Sequence, residues 1–154
     1  MSEKGIPLTG FKDCDVRGEF GTEVNAILAY RIGRAAGSRA EERKVVVGGD
    51  FRISTPELMK ELIRGLTESG VAVYDLGQVS TPCYYFARRK LGIKTGIMVT
   101  ASHSPSSCNG FKPVFGELPG PARRGEGWMR FAPCDFLCNH CLWIMRDPSS
   151  TGLQ

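Results

Sequence analysis

Residues 45–76 read VVVGGDFRISTPELMKELIRGLTESGVAVYDL, and this stretch decides the fold. It begins with a short β-branched run that is typical of a buried strand. Apolar residues then recur at helical spacing after Thr55 and Pro56, which suit an N-cap and a first helical turn, and Gly70 ends that helix. Because a second apolar run follows Gly70, the stretch predicts a strand–helix–strand unit. A right-handed crossover makes its two strands parallel.

The same alternation continues on both sides of this unit. Residues 11–20 read as a strand and a turn, and residues 23–37 have the apolar period of a helix that ends at Gly37. Residues 81–91 predict a third helix, and residues 95–99 predict another strand. Strands that alternate with helices predict an α/β domain of three layers, α/β/α, around a mainly parallel mixed sheet.

Composition and charge restrict the class of protein. Of the 154 residues, 42% are hydrophobic and 23% are charged, which is ordinary for a globular domain. No apolar run approaches the roughly 20 residues that cross a bilayer, and the N-terminus lacks the apolar core of a signal peptide. We therefore expect no membrane partner and a cytoplasmic location. The net charge of +4 is spread along the chain, so we expect no nucleic-acid partner.

The chain changes character after Lys112. Residues 120–127 have linker composition, and no clear helical or strand period continues beyond them. We expect one domain at residues 1–115 and an irregular, disordered tail at residues 116–154. A non-native reading frame or an alternative terminal exon produces tails of this kind.

The cysteines suggest reduced thiols rather than a disulfide framework. Three of them are isolated, which suits a cytosolic protein: Cys14, Cys83 and Cys108. Four possible zinc ligands crowd into the tail: Cys134, Cys138, His140 and Cys141. Most zinc sites use two pairs of ligands that are separated by a dozen or more residues. We therefore interpret this cluster as incidental rather than as a metal site.

The polar sequence TASHSP, residues 100–105, follows a predicted strand directly. In parallel sheets the functional loops lie at the carboxyl ends of the strands. Ser102 is therefore either part of a plain surface turn or a nucleophile. A hydrolase is a poor interpretation, because no acidic residue nearby orients His103 and no G-x-S-x-G turn surrounds the serine. A serine that carries a phosphoryl group instead needs cations to offset about two negative charges. The candidate cations are Arg17, Arg52 and Lys112.

Three stretches, in this order, carry a family resemblance. They are FKDCDVRGEFG at residues 11–21, VVVGGDFRISTPEL at residues 45–58 and GIMVTASHSPSSCNGFK at residues 96–112. They resemble the D-x-R-G segment, the G-x-D-x-R-x-S-x-P-E-L segment and the serine loop of the α-D-phosphohexomutases, the phosphomannomutase/phosphoglucomutase family. The resemblance covers the N-terminal domain of that family and implies an α/β fold with this order of elements.

The resemblance also implies a reaction. Family members move a phosphoryl group between the 1- and 6-positions of a hexose phosphate, mannose or glucose, through a phosphoserine. Ser102 aligns with that serine, and in the family a phosphate oxygen on it also binds Mg²⁺. His103 and Lys112 match loop positions that contact the reacting groups, with the lysine a candidate acid or base. Arg17 matches the arginine that approaches the phosphoserine, whereas Arg52 is left outside the catalytic set as a residue that helps to seat its own loop.

The sequence also departs from the family pattern. Ser104 stands where asparagine is usual, and Cys108 stands where a larger residue is common. The family's Asp-Gly-Asp-Gly-Asp-Arg metal loop does not occur in the sequence, so the remaining Mg²⁺ ligands are missing. We therefore expect this chain alone to show no mutase turnover. The alternative is a non-catalytic product that binds partners or self-associates through an uncovered domain face.

Overall fold

The computed structural model describes residues 8–11 and 15–116. The cysteine cluster and nearly all of the predicted tail lie outside these residues. The described part begins with a short 3₁₀ turn, Leu8–Gly10. Its helices are α1 (Ala26–Arg39), α2 (Thr55–Glu68) and α3 (Thr81–Leu91). Its strands are β1 (Val16–Glu19), β2 (Lys44–Gly49), β3 (Ala72–Gln78), β4 (Gly96–Val99) and β5 (Cys108–Val114).

The strands form one five-stranded sheet in the order β1-β5-β4-β2-β3. β2 pairs in parallel with both β3 and β4, as the strand–helix–strand pattern predicts. β5 pairs antiparallel with β1 and β4, which makes the sheet mixed. The predicted α/β fold class with a mainly parallel mixed sheet is therefore confirmed, and β5 is the strand of this sheet that runs opposite to the other four.

Strand β5 was not predicted, because Gly110 and Pro113 interrupt its apolar pattern. Pro113 is tolerated because β1 pairs only with residues 108–111 of β5. The side of Pro113 that faces β1 therefore has no ladder hydrogen bond to lose.

The helices cover both faces of the sheet. Alternate residues of β2 and β4 point in opposite directions, so that Val45 and Ile97 pack in a core with α1 and α2. Val46 and Met98 pack instead with Tyr84 of α3 on the other face. The three-layer α/β/α arrangement is therefore confirmed. Within residues 8–11 and 15–116, every helix is too short or too polar to span a bilayer.

Glycines allow α1 and α2 to pack with their backbones in contact. A Cβ atom at Gly33 would collide with the carbonyl oxygen of Leu62, and one at Gly65 would collide with that of Tyr30. The prediction that Gly37 ends the first helix is wrong. That glycine is buried inside α1, which runs on to Arg39, because its missing side chain leaves room for α2.

The beginning of α2 also differs from the prediction. Ser54, rather than Thr55, occupies the N-cap position, and its side chain makes no capping hydrogen bond. Thr55 is the first helical residue, and its hydroxyl donates to Asp50 at 2.7 Å. The Thr55 hydroxyl thus binds Asp50, in the loop that follows β2, and does not cap the helix.

Candidate active site

The serine loop, which we define as residues 100–107, joins β4 to β5 at the carboxyl end of β4. Ser102 is exposed at the tip of this loop. Its φ is 58°, a left-handed backbone conformation that residues other than glycine rarely adopt. Such a residue costs about 1–3 kcal/mol and persists only where its surroundings hold it. Contacts from neighbouring elements must therefore fix this loop.

Ser102 and Lys112 are brought together as the sequence predicts. Lys112 lies on β5 opposite Met98 of β4, and its Nζ donates to the Oγ of Ser102 at 3.2 Å. The ammonium group therefore lies where charge on an oxygen at position 102 would develop. An oriented cation at such a point favours phosphoryl transfer.

Arg17 lies on the same face of the sheet as Lys112. It stands opposite Gly110, two residues before Lys112, and residues two apart on a strand point the same way. Such diagonal neighbours are about 7–8 Å apart. The guanidinium of Arg17 pairs with the carboxylate of Asp15, and no hydrogen bond joins it to Ser102 within residues 15–116. Its Nε is buried and has no hydrogen-bond partner among the described residues.

His103 is exposed beside Ser102. Its side chain makes no hydrogen bond or ion pair within residues 15–116, so its role in contacting a reacting group stays a prediction.

Arg52 is the residue whose part in the site the sequence did not reveal. From the loop after β2, its guanidinium reaches across to the serine loop and the start of β5. It donates to four main-chain carbonyl oxygens there: those of Ser102 (3.2 Å), Ser104 (2.7 Å), Pro105 and Cys108 (3.0 Å). Its Nε donates to Asp50 at 3.1 Å. In the sequence, the G-x-D-x-R spacing marked Arg52 as part of a family motif. It did not indicate which atoms the arginine binds.

Asp50 accepts hydrogen bonds on both carboxylate oxygens. Oδ2 accepts from Arg52 Nε and from the hydroxyl of Thr100 at 2.7 Å. Oδ1 accepts from the hydroxyl of Thr55 and from the main-chain N–H of Arg52 at 3.1 Å. The oxygen of Thr100 in turn accepts the main-chain N–H of Ser102 at 3.0 Å. One carboxylate therefore ties α2, the loop after β2 and the serine loop together.

The described residues do not form a magnesium site. Mg²⁺ is usually held by carboxylates together with phosphate and water oxygens. No group of three or more His, Cys, Asp and Glu side chains comes together within residues 8–11 and 15–116. Ser102 offers a single oxygen, so we derive no step through a metal ion.

Comparisons with known proteins find related sequences and a related family model. The model of the family described as phosphoglucomutase/phosphomannomutase, alpha/beta/alpha domain I, matches residues 9–123. A phosphomannomutase from Escherichia coli is 50% identical over 107 residues, which are 70% of this chain and 24% of that protein. A phosphomannomutase from Klebsiella pneumoniae is 50% identical over 107 residues, which are 70% of this chain and 68% of that protein.

A solved structure has a similar fold. The crystal structure of a phosphoglucomutase/phosphomannomutase family protein from Burkholderia thailandensis superposes with a TM-score of 0.66 at 40% identity. The match covers 71% of this chain and 26% of that one. The chain thus spans about a quarter of the length of the Escherichia coli relative and of this structure, and about two thirds of the Klebsiella relative.

Proposed function

The chain belongs to the phosphoglucomutase/phosphomannomutase family, and from this we propose that Ser102 is a phosphoryl carrier for a hexose phosphate. One observation carries the proposal: the ammonium of Lys112 donates a hydrogen bond to the hydroxyl oxygen of Ser102 at 3.2 Å. A free serine is a weak nucleophile and a poor leaving group unless a neighbouring group manages its proton. Lys112 is in position to do so.

The proposed transfer balances atom by atom. When phosphorylated Ser102 donates, a sugar hydroxyl oxygen forms a bond to phosphorus and releases its proton to solvent, while the bond between phosphorus and Ser102 Oγ breaks. Lys112 then gives a proton to the departing oxygen. In the return transfer Ser102 Oγ bonds to a phosphorus of the sugar bisphosphate, the bond from that phosphorus to the sugar oxygen breaks, and the sugar oxygen takes up a proton from solvent. The proton of Ser102 passes to the neutral amine of Lys112. The phosphoryl group that returns to Ser102 is the one at the other end of the sugar, which turns over between the two transfers.

Arg17 and His103 have supporting roles in this proposal. Arg17 shares a sheet face with Lys112, so its positive charge stabilises the phosphoryl group on Ser102. Asp15 is its partner before phosphorylation, and the phosphate competes with that carboxylate for the guanidinium. His103, next to the carrier, contacts the bound sugar phosphate. The Mg²⁺ that the family resemblance implies has no part in the proposed steps, because the described residues do not supply its ligands.

A phosphoryl-acceptance experiment tests the proposal. The purified chain is incubated with glucose 1,6-bisphosphate or, separately, with mannose 1,6-bisphosphate, and is examined by intact-mass and peptide mass spectrometry. We expect one phosphoryl group on Ser102 and none on the Ser102→Ala variant. Ser106→Ala serves as the matched control, because it removes an exposed hydroxyl from the same loop. Absence of the group, or equal labelling of Ser102→Ala, would contradict the proposal.

Acceptance and turnover are separate expectations. Well-oriented reactants gain about 7–11 kcal/mol from proximity, and holding a hexose phosphate in line with Ser102 needs more contacts than the serine loop and Lys112 supply. We therefore propose that the chain alone does not interconvert hexose 1- and 6-phosphates, even with Mg²⁺ and a bisphosphate activator. Turnover above that of Ser102→Ala would overturn this part without affecting the role of Ser102.

A second role, association between two copies of the chain, is favoured by apolar side chains beside the site. Phe51 and Ile53 lie in the loop after β2 and are 73% and 101% exposed. Two large exposed apolar residues in one loop are typical of a contact surface. Size-exclusion chromatography of the chain and of a Phe51→Ser, Ile53→Ser double variant tests this role. A dimer that the variant loses supports it, and a monomer in both cases rejects it.

A further inference from the structure

Both main-chain polar groups of Ser102 are connected, each through one side chain, to the carboxylate of Asp50. The N–H of Ser102 donates to Thr100 Oγ1 at 3.0 Å, and the hydroxyl of Thr100 donates to Asp50 at 2.7 Å. The C=O of Ser102 accepts from Arg52 at 3.2 Å, and Arg52 is itself bound to Asp50. The strained peptide units on either side of the carrier serine are thus anchored in a loop that lies about fifty residues earlier in the chain.

Arg52 has no donor left for a phosphate group. An arginine side chain carries five N–H donors in a fixed fork. One is taken by Asp50 and the other four by the carbonyl oxygens of the serine loop and the start of β5. The residue therefore acts on the main chain of the loop and not on a ligand.

We infer that Arg52, oriented by Asp50, is a positioning residue that holds Ser102 in its left-handed conformation and so aims the hydroxyl at Lys112. The conformational part of this inference stands on the contacts alone. Its consequence for phosphoryl transfer rests on the proposed function. A positive charge is not sufficient for the role, because the four carbonyl oxygens require a planar fork with several donors.

Arg52→Lys should affect the serine loop, whereas a substitution that removes a positive charge elsewhere should not. Lysine keeps the charge but presents one nitrogen in place of three, so it cannot reach all four carbonyl oxygens. Arg52→Lys should therefore release the loop although the net charge is unchanged. Arg89→Ala is the matched control, since it removes an exposed guanidinium from α3 on the other side of the sheet.

Nuclear magnetic resonance of the isotope-labelled chain gives the decisive readout. In Arg52→Lys we expect the Ser102 carbon shifts to move away from left-handed values. Amide exchange at Ser102, Ser104 and Cys108 should rise by about tenfold or more, the factor expected for losing a hydrogen bond to a charged group. Exchange at Val47, in the middle of β2, should stay at the wild-type rate. Arg89→Ala should leave all of these signals unchanged.

Two further variants keep the inference falsifiable if Arg52→Lys destabilises the whole domain. Thr100→Val removes the hydroxyl bridge from Ser102 to Asp50 without touching Arg52, and it should shift the same Ser102 signals. In Arg52→Ala, millimolar guanidinium ion should restore the wild-type signals of the loop, and ammonium ion should not. Unchanged Ser102 shifts and exchange in both Arg52→Lys and Thr100→Val would overturn the inference.

Phosphoryl acceptance is measured on the same samples. If the wild-type chain accepts a phosphoryl group from glucose 1,6-bisphosphate, Arg52→Lys should accept it about tenfold more slowly or worse, while Arg89→Ala keeps the wild-type rate. If the wild-type chain accepts none, the proposed function fails. The positioning role of Arg52 is then decided by the resonance and exchange data.

Discussion

The Nδ2 of Asn109 donates to the Oγ1 of Thr55 at 3.0 Å, across 54 residues of sequence. Asn109 is fully buried, and its Nδ2 also donates to Ser54 Oγ at 2.8 Å. Its Oδ1 accepts the main-chain N–H of Gly110. The hydroxyl of Thr55 is already directed at Asp50, so only a donor fits opposite it. The amide of Asn109 meets this requirement, and a carboxylate would not.

Asn109→Asp should therefore destabilise the domain at neutral pH. The substitution places a second carboxylate near the hydroxyl that Asp50 already binds, at a cost of about 1–3 kcal/mol in the free energy of unfolding. Burial raises the pKa of such an introduced carboxyl, so acid should protonate it in the fold and reduce the loss. Urea unfolding at neutral and acidic pH measures both effects.

Asn25→Asp is the matched control for this substitution. The Oδ1 of Asn25 accepts the main-chain N–H of Leu28 at the N-cap of α1, where a carboxylate serves equally well. This variant should be as stable as the wild type or slightly more stable. An equal loss in both variants would show that the buried amide of Asn109 has no special requirement for a donor.

Lys112→Met should slow phosphoryl acceptance by Ser102 by about 10²–10⁴-fold, the usual contribution of a positioned acid or base. The free energy of unfolding should change little, because the ammonium contacts an exposed hydroxyl. Intact-mass time courses with a hexose bisphosphate provide the rates. Wild-type rates in Lys112→Met would exclude the lysine from proton transfer.

Lys112→Arg separates charge from proton transfer at the same position. A guanidinium keeps the positive charge but does not give up its proton near neutral pH. If Lys112 acts as the acid and base, this variant should be nearly as slow as Lys112→Met. If only its charge matters, the rate should stay close to that of the wild type, and the proton-transfer step proposed above would be wrong.

The sequence predicted the fold and the pairing of Ser102 with Lys112 because both follow from local patterns. Apolar periodicity marked the helices and most of the strands, and the order of the motifs placed the lysine after the serine loop. Strand β5 was missed because Gly110 and Pro113 are poor strand residues, and its pairing with β1 and β4 outweighs that preference. Its existence depends on pairing with other strands, and one of these, β1, lies far away in the sequence.

The role of Arg52 could not be predicted for a related reason. Its acceptors are carbonyl oxygens 50–56 residues away, and main-chain groups carry no sequence signal. The hydrogen bond of Thr55 could not be predicted from the sequence either. The position of Thr55 before a proline indicates an N-cap, but Asp50 captures the hydroxyl once the chain has folded. Local signals therefore predicted the elements, and tertiary hydrogen bonds decided the site.

Gly33→Ala and Gly37→Ala should have different effects, although both lie inside α1. Alanine improves helix propensity by about 1 kcal/mol at either position. At Gly33 the new methyl group would meet the backbone of α2, which cannot move without separating the helices. Overpacking of this kind costs about 1–3 kcal/mol. At Gly37 it would meet the Cβ and hydroxyl of Ser69, the residue just after the end of α2, where a small shift does not separate the two helices. Thermal or urea unfolding should show Gly33→Ala clearly less stable than Gly37→Ala, and the reverse order would contradict the close helix contact.

Tyr84→Phe should preserve or increase stability. Tyr84 lies on α3 and is fully buried against the sheet, and its hydroxyl has no hydrogen-bond partner among the described residues. Removing an unsatisfied buried hydroxyl relieves a desolvation penalty of about 1–3 kcal/mol. Tyr84→Ala, in contrast, should cost about 3–5 kcal/mol because it leaves a cavity. A loss of more than about 1 kcal/mol in Tyr84→Phe would show that the hydroxyl is hydrogen-bonded after all.

The same tyrosine should make the wild type more sensitive to alkali. Burial raises the pKa of Tyr84 above its ordinary value, and the nearby charge of Arg88 only partly opposes this. The fold therefore favours the protonated hydroxyl, whereas the unfolded chain releases that proton near a pH of about 10. This contribution to stability is complete below that pH and is lost as the pH rises further. The stability difference between Tyr84→Phe and the wild type should accordingly widen in favour of the variant above a pH of about 10. Urea unfolding of both proteins across this range measures it, and parallel curves would mean that Tyr84 ionises equally in the folded and unfolded chains.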